Sequence, residues 1–295
     1  MTDGQNAGRL ILVSGATGNQ GGAAARALLG RGFRVRALTR DPRKPAARVL
    51  ADLGAEVVRG DLEDRSSLDR ALEGARGVFS VQNVMEAGVE GEIRQGKALV
   101  DAAVTAGVAH FVYSSVGSAN RGTGLPFFES KGEIEDHLRA SGLPYTILRP
   151  VFFMQNWEGM RDQILAGTLA QPLDPDRSVQ QVNVEDIGAL AAMAFEDPEN
   201  WIGREVDVAG DELTMPQVAE TIGRVTGREI VYRQVPWDRF RETMGEDFTV
   251  MNRWFNDVGW EADISALRRE YPELSTLERY LVDHGWGAAG SATGS

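Results

Sequence analysis

The feature that most constrains this chain is a glycine-rich turn in residues 10–22, with the sequence LILVSGATGNQGG. Four apolar residues come before the glycines and an alanine-rich segment follows them, so the pattern predicts a strand, a tight turn and a helix. Glycines let a backbone approach a pyrophosphate closely, and the first N–H groups of a helix attract anions. We therefore expect a dinucleotide site at this turn. Its predicted contacts are Gly15, Thr17, Gly18, Asn19, Gln20 and Gly21.

The composition limits the class of partner. The net charge of −12, without a compensating basic cluster, argues against nucleic acid as the main partner. The absence of cysteine excludes disulfides and cysteine metal sites, and the three histidines lack the spacing of metal ligands, so we expect no metal. The first residues are polar and no apolar run approaches about 20 residues. We expect a cytoplasmic protein with no secretion signal and no membrane segment.

Short apolar strands alternate with helical segments from Leu10 to Ser114. This alternation predicts an α/β fold with a Rossmann-type, doubly wound parallel sheet and right-handed crossovers. Ligands of such sheets bind at the carboxyl ends of the strands, so the residues that follow each strand are candidates for the site.

The residues that follow the second predicted strand bear on the identity of the dinucleotide. An acidic residue there binds the 2′-hydroxyl of NAD, whereas arginine accommodates the 2′-phosphate of NADP. Arg40 offers a planar fork for phosphate and Lys44 adds a second positive charge. The alternative is that both basic side chains only cover a surface loop, and Asp41 is a contrary signal one residue late. We expect NADP(H) to be preferred over NAD(H).

The ends of the third and fourth predicted strands supply further candidates for cofactor contacts. Asp61 and Leu62 would lie near the adenine, and Gln82 and Asn83 near the nicotinamide. Ordinary turn chemistry, which favours Asp and Asn, accounts for these residues equally well.

Several motifs in a fixed order give the chain a family resemblance. They are GATGNQGG at 15–22, Thr39-Arg40, Gly60-Asp61, Tyr113-Ser114-Ser115, Ser130-Lys131-Gly132, Leu148-Arg149-Pro150 and VEDIG at 184–188. With this order and spacing the chain resembles the NmrA-like family, an atypical branch of the short-chain dehydrogenases/reductases. The resemblance implies a Rossmann domain, NADP(H) preference and a smaller C-terminal α/β substrate domain. The family includes NADPH-dependent reductases of quinones, dyes and phenylpropanoids, and regulators that bind the dinucleotide without turning it over.

The chain is expected to divide accordingly. We expect residues 1–151 with about 177–209 to form the NADP-binding domain, and about 152–176 with 210–286 to form the smaller substrate or lid domain. Residues 287–295, GAAGSATGS, have the composition of a disordered tail.

The catalytic pair that the resemblance implies, Tyr-x-x-x-Lys, is incomplete. Lys131 occupies the lysine position, but Phe127 stands four residues earlier and cannot exchange a proton. Lys131 is our candidate for a catalytic group and a ribose contact, unless it is a solvated lysine on an amphipathic helix. Ser115 is a weaker candidate for a proton donor. Tyr113 is another, although it alternates with apolar residues and could belong to the core.

Aromatic residues are concentrated in the second half of the chain, which contains all six tryptophans. The resemblance implies that Phe153 and Asn156 border the nicotinamide. Phe152, Trp157 and Trp254 suit an apolar pocket for a flat substrate. The alternative is that these rings form the core of the smaller domain.

Two classes of function remain open from the sequence. Hydride transfer requires chiefly that the nicotinamide C4 be held close to an electrophilic carbon, and quinones and cationic dyes accept hydride readily. The first class is therefore an NADPH-dependent reductase of quinone-like or conjugated aromatic substrates. The second class is a non-catalytic NADP(H) sensor that regulates a protein partner.

Overall fold

The computed structural model describes residues 6–287 and divides them between two units. The first unit takes the chain up to Pro150 together with Val184–Asp207, and the second takes Val151–Asn183 and the chain from Val208 onward. Of the tail expected at 287–295, only Gly287 lies within the described residues.

The described part of the chain contains twelve strands and thirteen α-helices. The strands are β1 (Leu10–Val13), β2 (Arg34–Thr39), β3 (Glu56–Arg59), β4 (Gly77–Ser80), β5 (His110–Ser114), β6 (Tyr145–Pro150), β7 (Phe152–Phe153), β8 (Thr168–Gln171), β9 (Ser178–Val182), β10 (Glu205–Val208), β11 (Asp211–Thr214) and β12 (Val231–Gln234). The helices are α1 (Asn19–Gly30), α2 (Pro45–Asp52), α3 (Arg65–Leu72), α4 (Val84–Ala106), α5 (Pro126–Ala140), α6 (Arg161–Leu165), α7 (Val184–Glu196), α8 (Pro198–Trp201), α9 (Met215–Thr226), α10 (Trp237–Met244), α11 (Glu246–Asp257), α12 (Ile264–Glu270) and α13 (Leu277–Asp283), and a 3₁₀ helix spans Met154–Met160.

The first unit is built on a seven-stranded sheet with the order β10-β6-β5-β4-β1-β2-β3. Strands β1 to β6 pair in parallel, and β1 lies between β2 and β4, where Val13 pairs with Ala37 and with Phe79. All four residues of β1 are buried because the strand is central and helices cover the sheet. The predicted doubly wound parallel sheet is confirmed.

Small residues let the helices of the first unit approach closely. A Cβ atom added at Gly188 of α7 would lie 2.6 Å from the backbone of Ala23 in α1, so these two helices meet backbone to backbone. This close contact with α7 holds α1 in place behind the glycine turn. Aliphatic side chains from the strands and from α3, α4 and α5 form a continuous core that includes Leu12, Leu99 and Ile134.

The second unit contains two small sheets, with the orders β11-β9-β7 and β12-β8. Strand β9 pairs in parallel with β7 and antiparallel with β11, so residues 178–182 belong to this unit and not, as we expected, to the first. Strand β8 lies in the segment 167–176. The sequence of this segment predicts a loop, because Gly167 and two prolines interrupt its apolar pattern. Its pairing with β12, distant in sequence, stabilises it as a strand.

Across residues 6–287, no helix is long and apolar enough to span a membrane.

Candidate functional site

The glycine turn forms a close contact between the end of β1 and the start of α1. Gly15 has a φ of +58°, and its carbonyl oxygen accepts a hydrogen bond from the Gly18 N–H at 2.9 Å. A Cβ atom at Gly21 would lie only 2.3 Å from the Gly15 oxygen, so a side chain there would push the helix off the turn. The helix begins at Asn19 with no side-chain cap and no acidic residue in its first turn. Its N-terminal N–H groups are therefore oriented towards any anion bound over the turn.

Two serines tie this turn to the neighbouring strand ends. The Ser14 hydroxyl donates to the carbonyl of Val81 at 3.0 Å and accepts from its N–H at 2.9 Å, which fixes the turn beside β4. The Ser114 hydroxyl at the end of β5 donates to the side-chain oxygen of Gln20 at 2.6 Å. These hydrogen bonds connect the glycine turn and the start of α1 to the carboxyl ends of β4 and β5.

The predicted phosphate-binding arginine is engaged by an acidic residue that sequence reasoning missed. Arg40 follows β2 and forms an ion pair with Glu86, in the first turn of α4, with both side chains more than half exposed. Asp41, the contrary signal in the sequence, instead accepts hydrogen bonds from the N–H and the guanidinium of Arg43, both at 3.0 Å. The Arg43 guanidinium lowers the pKa of the Asp41 carboxyl. Lys44 is exposed and stands at the start of α2.

The candidates after β3 are held by local contacts. The Asp61 carboxylate accepts from the N–H of Glu63 at 3.0 Å, and the Asp61 N–H donates to the Ser67 hydroxyl at 2.9 Å. Leu62 packs against the hydrophobic core of the first unit. Turn chemistry accounts for these contacts, and a role in binding adenine stays a prediction for both residues.

Two candidates for cofactor contacts follow β4, and the structure gives them different surroundings. Asn83 accepts from the N–H of Met85 at 3.1 Å and caps α4, which is interrupted at Gly88. Gln82 is 6% exposed, and its amide nitrogen donates to the Ser80 hydroxyl at 2.9 Å. The amide oxygen of Gln82 is buried and has no hydrogen-bond partner among the described residues. The role of Gln82 and Asn83 beside the nicotinamide stays a prediction.

Lys131 is not a solvated lysine. Its ammonium nitrogen lies 2.7 Å from a carboxylate oxygen of Glu92, and the exposed fractions of the two side chains are 13% and 0%. The second oxygen of Glu92 accepts from the Ser130 hydroxyl at 2.5 Å. The sequence carried a signal for this pair, because Glu92 shares one face of α4 with the buried residues Gly96 and Leu99.

The other proton-donor candidates lie in the interior of the first unit. Tyr113 is fully buried, and burial, with the charges of Glu92 and Glu135 adding to it, raises the pKa of its phenol well above the usual range. Neither the Tyr113 hydroxyl nor the buried hydroxyl of Ser115 has a hydrogen-bond partner in the described part of the chain. Phe127 is half-buried on α5, one helical turn before Lys131.

Buried charges also fix the position of α5. Glu135, fully buried on this helix, accepts hydrogen bonds from Arg149 of β6 at 2.7 and 2.8 Å, and Arg139 reaches Glu205 of β10 at 2.7 Å. The hydrogen bond from Arg139 is the main reason that the pKa of Glu205 falls to about 2. Together with Lys131 and Glu92, these pairs hold α5 to β6, β10 and α4.

The three aromatic residues proposed to line an apolar pocket lie in the second unit, where each packs against another ring. Phe152 packs on Trp157 with ring centroids 5.1 Å apart, whereas Trp254 packs on Trp260 with centroids 5.6 Å apart. Trp157 is 1% exposed and donates its indole N–H to Gln181 at 2.7 Å. Trp157 is therefore part of the core of this unit, while Phe152 and Trp254 are only half-buried.

The two remaining candidates for cofactor contacts also lie in the second unit. Phe153 ends β7 and is half-buried, and Asn156 is exposed on the 3₁₀ helix. Their role beside the nicotinamide stays a prediction. For the described residues, no group of three or more His, Asp or Glu side chains is arranged to hold a metal ion.

A parallel sheet with this strand order, and with a glycine turn and a helix N-terminus after its central strand, defines the Rossmann class of dinucleotide-binding folds. Within that class the chain belongs to the NmrA-like family, whose model matches residues 8–281. The predicted family resemblance is confirmed.

Curated relatives of this chain are named as oxidoreductases. An NmrA-like family domain-containing oxidoreductase from Aspergillus hancockii is 33% identical over 263 residues, which are 80% of this chain and 78% of that protein. An NAD(P)H azoreductase from Xenophilus azovorans is 31% identical over 240 residues, 80% of each chain.

Solved structures share the fold. The triphenylmethane reductase of Citrobacter sp., complexed with NADP(H), superposes with a TM-score of 0.79 at 22% identity over 93% of this chain and 99% of that one. NmrA, a negative transcriptional regulator solved in complex with NADP, gives a TM-score of 0.75 at 24% identity over 92% and 94% of the two chains. The fold is thus shared by a reductase and by a regulator.

Proposed function

We propose that this protein is an NADP(H)-dependent reductase of quinone-like or conjugated aromatic acceptors. The observation that carries the proposal is the glycine turn with Arg40 beside it: Gly15, Gly18 and Gly21 let a pyrophosphate approach the start of α1, and Arg40 follows the adjacent strand β2. In this fold that position meets the adenosine ribose, where a guanidinium accommodates a 2′-phosphate.

The class of acceptor follows from the proton chemistry at α5. Reduction of a ketone to an alcohol requires a proton donor beside the oxygen, and Phe127 cannot supply one. A cationic dye takes up a hydride at carbon and becomes neutral without any proton, and a quinone takes up a hydride and one proton that water can provide. Both reactions need chiefly a well-positioned nicotinamide. The loss of the tyrosine therefore favours activated acceptors over simple carbonyls.

Lys131 has a defined place in this proposal. Its ammonium is held by Glu92 and retains limited solvent exposure, so it can donate hydrogen bonds to a cofactor ribose hydroxyl. The proteins named as an azoreductase and as a triphenylmethane reductase support this acceptor class, because both names refer to conjugated aromatic dyes. Phe152 and Trp254 are the aromatic rings that we propose as contacts of the acceptor.

The proposal is tested by assaying NADPH oxidation with a panel of acceptors. Purified, flavin-free protein is mixed with quinones, triphenylmethane dyes, azo dyes and simple ketones. We expect saturable NADPH oxidation with the conjugated acceptors and none with the ketones. Turnover of ketones alone, or the absence of NADPH binding, would overturn the proposal.

A second function is also favoured by Phe127, which stands where the Tyr-x-x-x-Lys pair has its tyrosine. A protein that senses the NADP(H) pool needs the dinucleotide site but no proton donor, and the fold is shared with a negative transcriptional regulator. The same assay separates the two functions: tight NADPH binding with no turnover of any acceptor is the result expected of a sensor.

A further inference from the structure

The ion pair between Arg40 and Glu86 lies at the edge of the sheet where the cofactor is expected. Arg40 follows β2, and Glu86 follows β4 in the first turn of α4. Because β1 lies between β2 and β4, this pair joins the strand ends on the two sides of the glycine turn. Its two side chains are 60% and 53% exposed, so a ligand can reach both of them.

A 2′-phosphate and the Glu86 carboxylate require the same guanidinium. If the phosphate of NADP binds Arg40 bidentately, either the Arg40–Glu86 pair breaks or the phosphate comes to lie close to a second negative charge. Binding of the 2′-hydroxyl of NAD neither breaks the Arg40–Glu86 pair nor brings a second negative charge close to Glu86. The hydroxyl is neutral and can donate a hydrogen bond to a carboxylate. Glu86 therefore weakens the binding of NADP but not the binding of NAD.

We infer that Glu86 is a specificity-determining residue that weakens NADP(H) relative to NAD(H) and so narrows the preference that Arg40 creates. This inference rests on the proposed function, since it concerns the same dinucleotide site. Asp41, the nearest acidic residue in sequence, is not a competing explanation, because its carboxylate is engaged by Arg43.

The test compares two substitutions that each remove one negative charge from an exposed ion pair. Glu86→Gln removes the partner of Arg40, and the control Glu278→Gln removes the partner of Arg224, a pair with similar exposures of 53% and 54% in the second unit. Dissociation constants of NADP⁺ and NAD⁺ are measured for both variants and for the wild type. Both sites are on the surface, so folding is expected to be preserved, and circular dichroism checks it.

We expect Glu86→Gln to bind NADP⁺ about two- to fivefold more tightly, as the loss of an exposed charge interaction implies, with NAD⁺ unchanged or weaker. The control is expected to change neither constant. The gain in NADP⁺ affinity should shrink at about 1 M salt, where the Debye length falls to about 3 Å.

The outcomes separate this inference from the proposed function. If the wild type binds neither dinucleotide, the proposed function fails. If it binds NADP⁺ but Glu86→Gln leaves the ratio of the two constants at the value of the control, only the inference about Glu86 is overturned. An equal gain in affinity for NADP⁺ and NAD⁺ also overturns it, because a general loss of negative charge would then explain the change.

Discussion

The ammonium of Lys131 lies 2.7 Å from the carboxylate of Glu92, and the glutamate is completely buried. One residue comes from α4 and the other from α5, so the pair fixes the lysine that follows Phe127 in a single place. A buried ion pair of this kind matters for stability chiefly because the loss of one partner would leave the other charge buried without a counter-charge. Lys131 is thereby presented as a positioned hydrogen-bond donor.

Removal of the carboxylate from this pair should destabilise the protein. We expect Glu92→Gln to lower the free energy of unfolding by about 2–3 kcal/mol, because the Lys131 ammonium loses its counter-charge in a site with little water. Denaturant unfolding measures the effect. The double variant Glu92→Gln/Lys131→Met should lose less than the sum of the two single variants, since no unpaired charge then remains.

The control for this prediction is Glu133→Gln on α5, the helix that carries Lys131. Its carboxylate also contacts a lysine, Lys97, at 2.6 Å, but it is 52% exposed, so we expect a loss below about 1 kcal/mol. Equal losses for the variants at positions 92 and 133 would show that burial of the Lys131 pair does not matter.

Two glycines of α1 should respond in opposite ways to the same substitution. Gly21→Ala places a Cβ atom 2.3 Å from the Gly15 oxygen, so we expect NADP⁺ affinity to fall at least about tenfold and stability to fall by about 1–3 kcal/mol. Gly30→Ala meets nothing within 4 Å and should leave binding unchanged, with a stability gain of up to about 1 kcal/mol. Titration calorimetry and thermal unfolding measure both effects. Unaltered NADP⁺ binding by Gly21→Ala would contradict the assignment of the turn.

Arg40 should discriminate between the two dinucleotides. Its replacement by alanine removes a charge-assisted contact with the 2′-phosphate, so we expect the dissociation constant of NADP⁺ to rise about tenfold or more and that of NAD⁺ to change less than about twofold. Arg65→Ala, which removes an exposed arginine paired with Asp69 on α3, serves as the control. Equal affinity of the wild type for both dinucleotides would exclude the predicted preference.

His110 should make the protein less stable in acid. It is 3% exposed and bonds Thr146 at 2.9 Å, and burial, followed by the charge of Arg9, lowers its pKa from 6.5 to about 4. Between these values the unfolded chain binds a proton that the folded protein does not, so stability falls as the pH falls from 6.5 to about 4.

At pH 5 the expected loss from this histidine is about 2 kcal/mol relative to neutral pH. His110→Gln carries no titrating group at this position, so urea unfolding at pH 7 and pH 5 should show a smaller loss in the variant by about that amount. The carboxylates contribute the same pH dependence of stability in the wild type and in the His110→Gln variant. Parallel pH dependences would refute the assignment of a neutral, buried His110.

The sequence was sufficient for the sheet and the turn because their signals are local. The apolar run before Gly15 predicts β1, and the glycines together with the alanines that follow predict the turn and α1. The alternation of strands and helices then leaves few topologies that obey the right-handed crossover rule. The same local reasoning identified Arg40 as a candidate, whereas Lys131 was identified from the family resemblance.

The sequence marks Glu92 as a residue on the buried face of α4, but it does not show which basic residue pairs with Glu92 or with Glu86, because each partner comes from a different element of the fold. Glu86 and Glu92 both lie on α4, 46 and 39 residues from Arg40 and Lys131. Which charges meet depends on the packing of α4 against its neighbours, and periodicity within one helix does not report that packing. Strand β8 was missed for a similar reason, since its pairing with β12 is also distant in sequence.

The central claim, hydride transfer from NADPH to a conjugated acceptor, is tested most directly by a single turnover. Flavin-free protein in excess is loaded with NADPH carrying deuterium at both hydrogen positions of C4 and mixed without oxygen with a triphenylmethane dye. We expect one equivalent of NADPH to be oxidised and the deuterium to be found on the central carbon of the reduced dye. NADPH that stays bound and unoxidised after the dye is added would contradict the account.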